Sequence, residues 1–172
     1  MSPIEELCHM FDRAVVHPVQ HSLHPRFAPP IDLPLDYATF ISSFGGGWFG
    51  RPPNFAELDV ANLIHTPNAE WLNADVLFEV LHDQPNKDSD RGILHGYPDS
   101  PSVLPWGGNC QGDTYYWLVS GSPDEWPVVT GRLDLTVHNT SMSEFVLSRI
   151  REISSLPHIG SLSFFPDKAH TA

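Results

Sequence analysis

Thr114-Tyr115-Tyr116-Trp117-Leu118-Val119-Ser120, then Gly121-Ser122-Pro123-Asp124-Glu125, then Trp126-Pro127-Val128-Val129-Thr130 is the stretch on which the fold turns. Both flanks are rich in aromatic and β-branched residues, which suit a half-buried pleated surface. The connector holds Gly, Ser, Pro and Asp, the residues of a tight turn. The stretch therefore predicts two strands, 114–120 and 126–130, joined as a hairpin. A third strand is expected over 132–138. Ile93-Leu94 with Tyr97 suggest a short strand upstream, ended by Pro98 and Pro101. Trp48-Phe49 open another strand, and residues 162–165 a last one.

Helical signals flank these strands. Ser2-Pro3-Ile4-Glu5 places a capping Ser, a Pro at the first helical position and a Glu at the third. Ile4, Leu7, Cys8, Phe11, Ala14 and Val15 then repeat on one helical face, predicting a helix over 2–17 that ends at Pro18. Cys8 on that face reads as a small buried apolar residue. Residues 17–34 hold five prolines and read as an irregular connector. Pro34 opens a second helix through Tyr37, Phe40, Ile41 and Phe44, and Gly45-Gly46-Gly47 stops it. Thr66-Pro67 starts another, with Leu72, Val76, Val80 and Leu81 inward, and 86–90 is a polar loop. Ser141-Met142-Ser143-Glu144 repeats the capping pattern ahead of Phe145, Val146, Ile150 and Ile153. Helices, a run of strands and a closing helix argue for an α+β fold rather than a parallel βαβ sheet.

The chain has 172 residues, the size of one domain, and 41% apolar residues to build a core. No apolar run is long enough to span a bilayer, and no basic-then-apolar leader opens the chain. Two cysteines, Cys8 and Cys110, make no disulfide framework, so a cytoplasmic location is expected. The formal net charge is −12, and it is unevenly spread. Residues 52–131 carry twelve acids against Lys87 and Arg91, whereas residues 132–172 are balanced. Nucleic acid, which is held by Lys and Arg, is not expected as a partner. An acidic region of this kind is either a solvated surface or a patch that draws a basic protein partner.

Few residue patterns in the sequence point to chemistry. His17, His21 and His24 have ligand-like spacing, but they sit in a proline-broken connector and match no closed zinc pattern. The three glycines at 45–47 are followed by no Lys-Ser/Thr and form no phosphate loop. Neither cysteine has a partner base, there is no G-x-S-x-G elbow, and Asp124 and Glu125, being adjacent, diverge. Neither catalysis nor a metal nor a cofactor is expected.

A set of motifs is more specific. Leu104-Pro105-Trp106-Gly107, Asn109, Gly112-Asp113, Tyr115-Tyr116-Trp117-Leu118 and Gly121-Ser122-Pro123-Asp124-Glu125-Trp126-Pro127-Val128 closely resemble the SUKH superfamily of Smi/Knr-like proteins, in its actinobacterial form. Ser141-Met142-Ser143-Glu144-Phe145 and Leu33-Pro34-Leu35-Asp36-Tyr37 resemble further elements of that family. The likeness spans residues 33–150. It departs at Cys110-Gln111, where a tighter turn is expected, and it does not extend to the connector or to the tail after Leu156. The resemblance implies an α+β fold with a largely antiparallel sheet. It also implies a non-enzymatic immunity protein that neutralises a polymorphic toxin, often a nuclease or deaminase. Fungal relatives imply a regulatory or scaffold protein instead, and a small-molecule binder is a weaker alternative.

A nuclease presents a basic cleft, so an acidic inhibitor can occlude it. The expected partner surface is Asp88, Asp90, Trp106, Asn109, Asp113, Asp124, Glu125 and Trp126. The competing reading puts Trp106, Trp117 and Trp126 in the core, and has Asn109, Gly112 and Asp113 fix a turn.

Overall fold

A computed structural model describes residues 1–23, 31–51, 55–64, 95–96, 102–131, 135–156 and 162–166. The described chain is α+β: three helices and a largely antiparallel sheet. The helices are α1 (Pro3–Met10), α2 (Leu35–Phe44) and α3 (Met142–Ser154). The strands are β1 (Gly47–Arg51), β2 (Phe55–Val60), β3 (His95–Gly96), β4 (Ser102–Gly108), β5 (Thr114–Val119), β6 (Val128–Gly131), β7 (Thr136–His138) and β8 (Ser163–Pro166). Their order across the sheet is β7-β6-β5-β4-β2-β1-β8, every neighbour antiparallel. The short β3 runs parallel to the start of β4, while β2 pairs with its end.

The helix starts follow their sequence signals. Ser2 and Glu5 form the full reciprocal capping box of α1. In α3 the Ser141 hydroxyl accepts from Glu144 N, the forward half of the same device. Helix α1 is shorter than its apolar periodicity predicts. Asp12 takes a left-handed backbone (φ 51°), Asp12 N donates to the His9 carbonyl and Arg13 N to the Cys8 carbonyl. That pair of bonds is a Schellman stop, which Asp tolerates better than most residues. Phe11 still packs on the core, but Val15 is left outside it. Helix α2 begins and ends as expected, at Pro34 and at Gly45 with φ 79°. The glycine run does more than stop it, however: a Cβ on Gly47 would lie 2.3 Å from the Phe165 carbonyl of β8.

The expected hairpin is present, with Trp117 opposite Val128 and Tyr115 opposite Thr130. Its strand alternation sends Tyr115, Trp117 and Val128 to the helices, and Tyr116 and Val129 to the opposite face with Val103. The third strand occupies the end of its expected range, and β8 lies where residues 162–165 predict it. Strands β2 and β4 carry no clear sequence signal, because Pro105, Gly107 and Gly108 read as breakers. In the sheet those residues have specific places. Register slips between Pro105 and Gly107, so Trp106 and Gly107 share the space opposite Tyr115. A Cβ on Gly107 would lie 2.2 Å from the Asp59 carbonyl, so β2 approaches β4 only across a glycine. The helix expected from Thr66, the loop 86–90 and Ile93-Leu94 lie outside the described residues.

One apolar cluster joins all three helices to the sheet. At one side Phe11, Phe40, Phe44, Phe49 and Phe164 stack and cross within it, fastening β8 to α2. At the other, Trp106, Tyr115, Trp117 and Phe145 meet under α3. Cys8 is buried in the same cluster as a free thiol, near Ser43 of α2, and burial raises its pKa, as befits an inert apolar filler.

Candidate functional site

The residues expected on the partner surface divide into four groups. Trp106 and Trp126 are core side chains, 0% and 3% exposed, which corrects their expected place at an interface. Their rings are spent on packing: Trp106 on Trp117 and Phe145, Trp126 on Trp117. Asp88 and Asp90 lie outside the described residues and are two of the seven acids in 52–131, out of twelve, that do so.

Asn109 and Asp113 hold the turn between β4 and β5. The Asn109 side-chain oxygen accepts from Gln111 N and Asp113 N, both at 3.0 Å, and its amide donates to Asp113 Oδ2 at 2.9 Å. Cys110-Gln111, where a tighter turn is expected, is accommodated within this Asx-type loop. Both side chains are occupied by the loop itself.

Asp124 and Glu125 stand at the opposite end of β5, on a single 3₁₀ turn (Pro123–Glu125), and both are exposed. Six residues of strand separate the two turns, about 20 Å at ~3.3 Å per residue. The expected residues therefore do not converge on one site.

The Asp124 end is where the chain gathers other elements. Helix α2 starts at Pro34, which has no side chain to cap it. Asp124 Oδ1 supplies the cap from 89 residues away, accepting from Leu35 N at 2.7 Å. Asp36, in the first turn of α2, reaches on to α3: Oδ1 accepts from Tyr37 N and Oδ2 from Ser143 N at 2.8 Å. Next along α2, the buried Tyr37 hydroxyl donates to the Ala61 carbonyl and accepts from Leu63 N. It fixes the chain leaving β2, and desolvation raises its pKa far above the ordinary tyrosine value. Three separate motifs, 33–37, 123–127 and 141–145, are thus tied together by hydrogen bonds.

Two clefts open at this junction and adjoin at Asp124 and Ser141. One, about 390 Å³, runs between the starts of α1 and α2; Ile4, Val15 and Leu35 give it a mainly apolar lining, with Glu5, Asp36 and Asp124 around it. The other, about 340 Å³, is lined by Asp124, Glu125, Thr140 and Glu144 among others. Neither lining contains a Lys or Arg among the described residues. Five carboxylates outweigh the three helix N-termini here, each equivalent to roughly half a positive charge, together with the amino terminus and His17, which lie near Glu5. The net field at the junction is negative. Ser2 N donates to the Glu5 carboxylate, and that backbone bond is the main reason its pKa is lowered.

Sequence reasoning missed Leu35, Val15 and Glu144 as site residues. Val15 carried a signal for the core, and Leu35 lies at the edge of the α2 stripe. Their exposure follows from where α1 stops and where Asp124 docks, neither of which is local. His21 lies 3.7 Å from Asp32, and the described residues contain no group of three metal-ligating side chains. No described helix is long and apolar enough to cross a membrane. Comparison with family models, with curated proteins and with solved structures returned no match for this chain.

Proposed function

We propose that the protein is a non-enzymatic, cytoplasmic binding protein of SUKH type, an immunity protein that neutralises a cognate toxin by occluding its active cleft. The toxin is a basic protein domain, of nuclease type. The observation that carries this reading is the acid-lined junction at Asp124, Glu125 and Glu144, set in a chain whose middle section has ten more acids than bases. A nuclease cleft must be basic to hold phosphates, so its field and this one are complementary. The motif resemblance over 33–150 supports the same class.

The test is a tagged pull-down from the source organism at low and then moderate salt, followed by an activity assay. The reading expects a protein with a basic C-terminal toxin domain, released by salt, whose activity the purified chain abolishes at equimolar ratio. Recovery of endogenous cytoplasmic partners alone, with no effect on any nuclease recovered, would replace it with a scaffold role.

A further inference from the structure

The two adjoining clefts differ in chemistry, and the difference specifies what fits them. The cleft between α1 and α2 offers aliphatic surface: Leu35 is 52% exposed and Val15 37% exposed beside the buried Ile4. At about 390 Å³ it lies near the lower bound of ligand pockets, large enough for one or two side chains and small for a cofactor. The neighbouring cleft carries Glu125 and Glu144, both exposed, with the shared Asp124 between the two. Exposed apolar residues beside a charged wall select a complementary amphipathic segment rather than a purely charged one.

We propose that this double cleft docks a basic amphipathic segment of a partner protein. Its aliphatic side chain seats against Ile4, Val15 and Leu35, and its neighbouring Arg or Lys pairs with Glu125 and Glu144. The proposal rests on the reading that this chain binds a basic protein, and it locates that binding at one end of the sheet. The aliphatic contact supplies most of the affinity. The exposed ion pairs supply selectivity and rate, since each is worth little alone in water.

Calorimetric titration of the full chain with three blocked tetrapeptides tests it: Arg-Leu-Arg-Leu, Glu-Leu-Glu-Leu and Arg-Gly-Arg-Gly. The first is expected to bind, and the other two at least about tenfold more weakly. Leu35→Ser should weaken the first by about threefold to tenfold at any salt concentration. The pair Glu125→Lys with Glu144→Lys should weaken it about tenfold at low salt and hardly at all at 1 M, where screening acts within roughly 3 Å. These three positions are exposed, and circular dichroism checks that the variants remain folded. Equal binding of the acidic peptide, no binding of Arg-Leu-Arg-Leu, unchanged affinity in the variants, or a second copy of the chain filling the cleft would overturn the proposal. Should these variants leave capture of a basic toxin intact, the docking site is wrong and the immunity reading stands. Should the peptide bind as expected while no toxin is neutralised, the reverse holds.

Discussion

The two ends of β5 are built from the same residue types and do different work. At its start, Asn109 and Asp113 turn inward on their own loop, and the hydrogen bonds that join them to each other and to Gln111 span no more than four residues of sequence. At its end, Asp124 reaches 89 residues back to α2, and Asp36 reaches 107 residues forward to α3. The first is a closed turn that a short segment specifies alone. The second is a junction whose carboxylates hold the fold together while still lining open clefts. A carboxylate can thus be structural at both ends and available at only one.

Substitutions separate the two roles, the largest effect coming from a tryptophan expected at the interface. Trp106→Ala should lower stability by about 3–5 kcal/mol, the range for a large aromatic removed from a packed core. Denaturant unfolding measures this; a loss under 1 kcal/mol would return Trp106 to the surface. Next comes Tyr37→Phe, which strands the Ala61 carbonyl and the Leu63 amide and should cost about 2–4 kcal/mol.

The tyrosines also set an alkaline limit. Burial raises the pKa of Tyr37 and Tyr116, and pushes that of Tyr115 up to about 12. The unfolded chain then loses its phenolic protons first, near pH 10. Stability contributed by these groups is therefore complete below that pH and falls as pH rises through the folded values. Tyrosinate absorbance from these three should appear together with unfolding. Reversible ionisation near pH 10 with the fold intact would contradict their burial.

Smaller effects contrast the two ends directly. Asp124→Ala should cost about 1 kcal/mol, the ordinary value of a lost N-terminal cap. Asp124→Asn keeps an acceptor for Leu35 N, so stability should change by only a few tenths of a kcal/mol while affinity for a basic partner falls. Asp113→Asn, equally conservative, should leave that affinity unchanged. Equal losses of affinity at both positions would erase the distinction between the ends. Glu125→Lys alone should shift stability by less than about 0.5 kcal/mol, as exposed positions generally do.

Much of this arrangement is legible in the sequence where the signal is local. Both serine caps, the stop at Gly45 and the hairpin around Pro123 each follow from a few neighbouring residues. Strand β4 is illegible for the opposite reason. Pro105, Gly107 and Gly108 look like breakers until β2 and the Asp113 carbonyl are placed against them. The end of α1 is overshot because Phe11, Ala14 and Val15 prolong the apolar pattern past Asp12. The motif residues themselves stand out in the sequence, but their tasks do not. Asp36, Tyr37, Asp124 and Ser141 belong to the motifs that carry the resemblance; in the structure Asp36 and Asp124 fasten α2 to α3 and to the β5–β6 turn, Tyr37 holds the chain leaving β2, and Ser141 caps α3. Such a signature speaks first of the fold, and of the partner only through the surface the fastening leaves open.

The most direct test reads both ends of β5 in one experiment. Backbone amide spectra of the full chain are recorded as the Arg-Leu-Arg-Leu peptide is added at low salt. Progressive shifts at Glu5, Leu35, Asp36, Asp124, Glu125 and Ser141, with Asn109 through Asp113 unmoved, are the predicted result. Shifts centred on the 109–113 turn, or spread equally over both ends, would contradict it.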